Sequence, residues 1–350
     1  MAKNAYMIIT DLHLGNIAAT SRIDYRNEIT RVKTALLETA MKYKKCGWNV
    51  IALMLGDVFH GSYRDVTTAL MDADFINLWR LKIGEIYTVL GNHELTYYKA
   101  NPFYALIASV ESERVCNIIN KVWTPLGLSN VVRIVDRLVD GEVCFYFNHY
   151  STGIQKPGSE ECAIGLFHQD IIDRQIVEEV QQRYNKSYYG NTVALETSGI
   201  LDGYKHCYFG HIHTVYGVWK ANDVYLHYLA SLGRTNEKEV SDDFLERNIP
   251  VILVEDGRYR GQEDNFIQLL SRSECISESE VEINHEIYLE RKERKDIREY
   301  KPILDDPVND LEIFFQEDSD ASRILTELRD GRCSWLITLK SRLRGIGIEN

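Results

Sequence analysis

The amino-acid sequence predicts an α/β fold in which apolar strands alternate with helices, followed by a small C-terminal α+β unit. Three observations carry this reading. Continuous apolar runs of strand length recur between Tyr6 and Phe209. A helix with one apolar face lies between the first two of them. Run after run stops at Asp, Asn or His, and in α/β sheets the loops beyond the carboxyl ends of the strands are where ligand sites form.

The elements follow in order. Tyr6–Thr10 is an apolar run that ends at Asp11-Leu12-His13-Leu14-Gly15. From about Asp24 to Lys45, the apolar residues Ile29, Val32, Leu36, Ala40 and Tyr43 recur every three to four positions, and Gly47 is a natural stop. Val50–Leu55 is a continuous apolar strand of the kind buried on both faces, closing at Gly56-Asp57. After another helical stretch, Ile86–Leu90 ends at Gly91-Asn92-His93-Glu94. Val143–Phe147 runs into Asn148-His149, Ala163–Phe167 into His168, and Cys207–Phe209 into Gly210-His211-Ile212-His213.

One Asp or His after a strand is ordinarily a turn or cap residue. Several such ends brought to one place form a cluster of metal ligands whose members are far apart along the chain. Carboxylate oxygens, imidazole nitrogens and an Asn carbonyl, without cysteine, suit Mn²⁺, Fe or catalytic Zn²⁺. Two such cations about 3.5–4 Å apart need a shared carboxylate, and they steady the attacking and leaving oxygens of an in-line displacement at phosphorus. The ligand inventory therefore points to phosphoester hydrolysis.

Bulk properties set the limits. The 350 residues, 45% hydrophobic and 26% charged, are a globular composition with room for one large core and a smaller appended domain. The seven cysteines are odd in number and free of any C-x-x-C pair, which argues against a disulfide framework and fits a reducing cytoplasm. No stretch approaches the ~18 to 20 apolar residues of a membrane span. The run Tyr6–Ile9 is too short for a signal-peptide core. A cytoplasmic protein with no membrane partner is expected. The net charge of −12 counts against a nucleic-acid binder, since backbone affinity comes from Lys and Arg. Carboxylates gathered at a metal centre are cancelled by the cations they hold, so formal charge overstates the local field.

The blocks D-L-H-L-G at 11–15, G-D-V-F-H at 56–60, G-N-H-E at 91–94, a strand-end His and G-H-I-H at 210–213 occur in one order along the chain. As a set they resemble the calcineurin-like metallophosphoesterases, which implies a four-layer αββα sandwich. Within that superfamily the chain is more similar to the SbcD nuclease subunit, whose eukaryotic counterpart is Mre-eleven. Asp11-Leu12-His13-Leu14-Gly15, Asp57-Val58-Phe59-His60 with Arg64 soon after, and the segment Tyr228–Thr235, which resembles a G-S-x-x-R pattern, carry this closer likeness. Ala230 stands where Gly is usual. The resemblance covers roughly residues 6–255.

What it implies is a Mn-dependent DNA nuclease of repair, recombination or replication, with Fe or Zn as other possible cations. Asp11, His13 and His213 would hold one metal, Asp57 would be shared, and Asn92, His168 and His211 would complete the second. His93 would be the general acid, His60 an auxiliary catalytic residue and Arg234 a phosphate contact. His149 competes with His168 for the fourth block, and otherwise approaches substrate or caps its strand. DNA, an SbcC-like ATPase subunit and a second copy of the chain are the implied partners. The alternative is a phosphatase or phosphodiesterase acting on a phosphoprotein, nucleotide or other small substrate. G-N-H-E is also the spelling of Ser/Thr protein phosphatases, although Val58-Phe59-His60-Gly61 replaces the Asp-Arg-Gly turn of those enzymes.

The tail divides from this body. Residues 1–255 form the expected catalytic domain and 256–307 a charge-rich connection, in which Glu286–Lys301 alternates sign as a solvated helix or linker does. Residues 308–350 read as strand, helix and strand at Leu311–Phe315, Asp318–Leu328 and Ser334–Leu339, similar to the capping domain of the nuclease family. The basic run Lys340-Ser341-Arg342-Leu343-Arg344 follows.

Overall fold

A computed structural model describes residues 2–14, 25–60, 66–96, 107–112, 131–159, 162–184, 191–213, 215–234, 245–271 and 274. The chain divides into two compact units, Met1–Ile287 and Tyr288–Asn350. The expected C-terminal strands and helix, the basic run at 340–344 and Arg64 lie outside the described residues.

The first half of the larger unit comprises β1 (Lys3–Ile9), α1 (Tyr25–Lys45), β2 (Asn49–Met54), α2 (Val66–Lys82), β3 (Ile86–Thr88), α3 (Asn92–Thr96), β4 (Ile107–Val110) and β5 (Val132–Ile134). There follow β6 (Arg137–Asp140), β7 (Val143–Asn148), β8 (Cys162–Phe167), β9 (Ile171–Asp173), α4 (Arg174–Tyr184), β10 (Asn191–Val193) and α5 (Leu195–Ser198). The last are β11 (His206–Phe209), β12 (Gly217–Ala221), β13 (Val224–Tyr228), β14 (Glu246–Glu255) and β15 (Arg258–Gln268). Among the described residues, one sheet runs β15-β14-β1-β2-β3-β5-β4 and another β12-β13-β11-β8-β7-β6. Strands β1, β2, β3 and β5 are mutually parallel, as are β7, β8, β11 and β13. Within each sheet the parallel strands therefore deliver their carboxyl ends to one edge.

The apolar runs are continuous because each face of these strands is covered. Ala5, Met7 and Ile9 of β1, with Val50, Ala52 and Met54 of β2, pack under Val32, Leu36 and Ala40 of α1 and Phe75, Ile76 and Trp79 of α2. The alternate residues Tyr6, Ile8, Ile51 and Leu53 turn the other way, onto Phe145, Phe147, Ile164, Leu166 and Tyr208 of the second sheet. The outer face of that sheet, with Cys144, Tyr146, Ala163, Phe167 and Phe209, lies under Ile176, Val177 and Val180 of α4 and Leu195 of α5. Burying each large apolar side chain stabilises the fold by about 1.5–3 kcal/mol. Helix, sheet, sheet and helix make four layers. None of the described helices is long and apolar enough to cross a membrane.

One expectation changes. The connection expected from residue 256 begins as sheet, because β15 pairs antiparallel with β14 along its length. Asp256 and Gly257, at φ 52° and 75°, make the turn. The sequence Arg258-Tyr259-Arg260-Gly261-Gln262-Glu263-Asp264 reads as linker because an edge strand carries the charges that discourage further pairing.

Candidate metal centre

Four residues at the strand ends have backbones in the left-handed region: Asp11 at φ 37°, His13 at 44°, Asp57 at 45° and His211 at 73°. Such conformations cost on the order of 1–3 kcal/mol each and persist only where neighbours over-determine them. Here they do. The loops after β1 and β2 are joined by His13 N–H to the Asp57 carbonyl, Leu14 N–H to the Val58 carbonyl and His60 N–H to the Leu14 carbonyl, each at 2.9 Å. The Asp11 carbonyl accepts from Gly233 N–H at 2.9 Å and from the Ser231 hydroxyl at 3.1 Å. Its carboxylate accepts the His211 N–H at 3.0 and 3.1 Å. Gly91 is required for close approach: a Cβ there would meet Asp57 Oδ1 at 2.1 Å.

Glu94 holds the Asp57 loop from beneath. Its carboxylate accepts the N–H groups of Asp57, Val58, Phe59 and Gly91 at 3.0, 2.8, 3.3 and 2.9 Å. Burial, and then the nearby Asp57, push this carboxyl up to about 7 against the pull of His168 and of the Gly91 and Phe59 N–H groups. Glu94 is fully buried. A signal was present, since a Glu three residues after the N-cap position, here Gly91, reaches back to the cap N–H.

The donor atoms form three overlapping groups: Asp11, His13, Asp57 and His213; Asp57, His168 and His211; and His13, His60 and His93. Within the first, His13 Nε2 lies 2.9 Å from His213 Nε2 and 3.8 Å from Asp57 Oδ2. Within the second, His168 Nε2 lies 3.4 Å from Asp57 Oδ2, and Asn92 Oδ1 adds an oxygen 3.0 Å from the same nitrogen. His168 Nδ1–H donates to the Leu55 carbonyl at 2.6 Å, which directs Nε2 inward. His93 Nε2 lies 3.9 Å from Asp57 Oδ2.

Bonds of about 2.0–2.2 Å to nitrogen and oxygen ligands put two donors of one ion roughly 3.0–3.5 Å apart. The His13–His213 and His168–Asp57 separations fit that geometry, and the oxygen and nitrogen donors suit a divalent transition metal. The electrostatics agree. Burial alone would lower His168, but Asp57 and Asp11 outweigh it and push the ring up to about 9. Burial would raise Asp57, but His168 and His13 hold its carboxyl well below the usual range. The carboxylates thus draw positive charge into the site. Burial and His213 push His13 well down, and burial and His168 take His211 down to about 4, leaving both neutral as a ligand must be; His168 instead would give up its proton when a cation takes its Nε2. These residues fit a pair of divalent cations with Asp57 between them.

Asp11, His13, His60, Asp57, Asn92, His93, His168, His211 and His213 are thus brought together. Two expected substrate contacts are placed elsewhere. His149 is buried, with Nδ1 accepting Leu90 N–H at 3.0 Å and Nε2 3.2 Å from the Val135 carbonyl, so both ring nitrogens serve the backbone. Arg234 is buried too: it donates to both carboxylate oxygens of Glu28 on α1, one at 2.9 Å, and to the Leu270 carbonyl at 2.7 Å. A buried guanidinium needs a buried carboxylate, and Glu28 already occupies it. Tyr150, which no motif singled out, has its ring centroid 5.4 Å from that of His211 and 6.2 Å from that of His168.

Residues 6–215 match the family described as calcineurin-like phosphoesterase. No curated protein matches the chain. Among solved structures it is similar to the sulfate thiohydrolase SoxB of Thermus thermophilus in complex with glycerol, at 10% identity and a TM-score of 0.37, covering 84% of this chain and 61% of that one. It is similar to a 5'-nucleotidase precursor from Thermus thermophilus, at 14% identity and a TM-score of 0.36, covering 83% and 59%. The Haemophilus influenzae NAD nucleotidase NadN gives 11% identity and a TM-score of 0.38, covering 86% and 69%. The chain thus spans about three fifths of the length of the first two.

Proposed function

Because the chain belongs to the calcineurin-like phosphoesterase family, we propose that it hydrolyses phosphate esters of nucleotides or other small molecules at a centre of two divalent cations, Mn²⁺ foremost. The observation that carries this reading is the place of Asp57, common to the donor group of Asp11, His13 and His213 and to that of His168 and His211.

Asp11, His13 and His213 would hold one cation, and Asn92, His168 and His211 the other, with Asp57 between them. When bound, the pair supplies an activated water and a clamp on the attacking and leaving oxygens. The protein supplies the proton. His93 Nδ1–H donates to the His60 carbonyl at 2.5 Å, so Nε2 points towards Asp57, where the ester would be held. Protonated there, it gives its proton to the departing oxygen, help worth about 10²- to 10⁴-fold.

The small-substrate reading is supported by charge and by two locked side chains. A net charge of −12 lacks the cationic surplus that grips a long polyanion. Arg234 is committed to Glu28, and His149 to the backbone. The second reading, a DNA nuclease, is favoured by Asp57-Val58-Phe59-His60 and the segment Tyr228–Thr235. The test is hydrolysis with Mn²⁺ of nucleoside monophosphates, a chromogenic diester and end-labelled single- and double-stranded DNA, each against Asp57→Asn. Release of phosphate from nucleotides with intact DNA supports the first reading. DNA cleavage lost in the variant establishes the second, and no turnover of any ester would sink both.

A further inference from the structure

His60 touches two members of the site through two different groups. Its ring Nδ1 lies 3.3 Å from Nδ1 of His13, with the rings edge to face at 5.3 Å and 66°. Its backbone carbonyl accepts the Nδ1–H of His93 at 2.5 Å. The residue is itself held, since its N–H bonds the Leu14 carbonyl at 2.9 Å and Leu14 bridges Phe59.

A neutral imidazole carries one N–H, on either nitrogen. His13 Nε2 faces His213 Nε2 at 2.9 Å and Asp57 Oδ2 at 3.8 Å, the place where a cation would sit. For Nε2 to offer a lone pair, the His13 proton must be on Nδ1, and that N–H is buried and needs an acceptor. The His60 Nδ1 is placed to be it. With the bond reversed, and His60 donating, the proton of His13 would move to Nε2 and bar that atom from a metal.

We propose that His60 is a positioning residue whose ring nitrogen accepts the Nδ1–H of His13, selecting the tautomer that presents Nε2 to the cation, while its carbonyl selects the matching tautomer of His93. The inference deepens the two-cation reading and rests on it. It moves His60 from an auxiliary catalytic part to one played through its neighbours. Partners that orient a metal ligand in this way typically change metal affinity about 10- to 100-fold when removed.

The experiment is ¹⁵N spectroscopy of histidine-labelled protein without metal, with Mn²⁺ and Zn²⁺ affinity measured by calorimetry on the same samples. In the wild type, His13 and His93 are expected as Nδ1–H tautomers. His60→Phe should release the His13 tautomer and weaken cation affinity roughly 10- to 100-fold. It should leave His93 unchanged, because the His93 partner is a backbone carbonyl. His60→Asn, whose amide oxygen can accept, should restore much of the affinity. A wild-type His13 protonated at Nε2 would overturn the proposal without any variant. So would a His60→Phe protein that turns over slowly with unchanged affinity and an unchanged His13 spectrum, for then His60 acts on substrate. Wild-type protein that bound no cation would sink the two-cation reading instead, and the metal-free spectrum would still decide whether His60 sets the His13 tautomer.

Discussion

Nε2 of His168, from the end of β8, lies 3.4 Å from Oδ2 of Asp57, from the end of β2, so one contact ties the second sheet to the first. Asp57 also has Nε2 of His13 at 3.8 Å and of His93 at 3.9 Å, and its Oδ1 accepts the His93 N–H at 3.0 Å. A change at this one carboxylate therefore reaches both donor groups and the acid.

Asp57→Asn should remove the shared charge from both donor groups. Cation content per chain, read by elemental analysis after dialysis, should fall from two to one or none, with phosphoesterase activity lost. Full metal content in the variant would show that Asp57 does not join the two groups.

His93→Ala should separate chemistry from binding. Its ring meets Asp57 only at 3.9 Å and is anchored by the His60 carbonyl, so cation content should stay while kcat falls about 10²- to 10⁴-fold. Loss of metal together with activity would make His93 a ligand and not the acid.

Glu94→Ala should act on stability. It would leave the N–H groups of Asp57, Val58, Phe59 and Gly91 without their acceptor. Each buried donor left unsatisfied costs about 1–3 kcal/mol. A large drop in the denaturant midpoint is expected, with Glu94→Gln, which keeps one acceptor oxygen, in between. A variant as stable as the wild type would mean that water replaces the carboxylate.

Arg234→Met should leave the buried Glu28 carboxylate without the guanidinium it now accepts from, destabilising by about 3–5 kcal/mol, and Glu28→Leu in the same chain should recover much of the loss. Turnover per folded molecule should hold in the double variant. A specific fall in kcat without a change in unfolding would restore Arg234 as a phosphate contact.

Away from the site, burial lowers His227 and His206 to about 4 each, and their rings share a hydrogen bond at 3.1 Å. Unfolded histidines take their protons near pH 6.5, so between about 6.5 and 4 the unfolded chain binds more protons, and stability falls as pH drops. His227→Phe, stacked on Tyr208 as His227 now is, should flatten that fall by on the order of 2 kcal/mol. The readout is Tm against pH for both proteins, and parallel curves would refute the assignment.

Much was legible in the sequence because it depends on local period and on residue type. The helical spacing of Ile29, Val32, Leu36 and Ala40 and the unbroken runs Val50–Leu55 and Ala163–Phe167 state which faces are buried before any partner is known. Donor residues placed directly after such runs must sit at strand ends, and parallel strands bring those ends to one edge. The polar strand β15 was hidden for the complementary reason: a half-exposed edge strand has the composition of a linker.

The sequence alone therefore determined the layers and the residues that meet at their carboxyl edge. Only the tertiary structure decided what each ionisable side chain meets there. His168 and His149 both follow an apolar strand, yet one turns Nε2 to Asp57 and the other binds backbone at both nitrogens. Arg234 is claimed by Glu28 from a helix early in the chain, and His60 stands against His13 across the joined loops. The physical reason is that the role of a charge or an imidazole is set by its partner at hydrogen-bond distance, and that partner comes from a remote part of the chain.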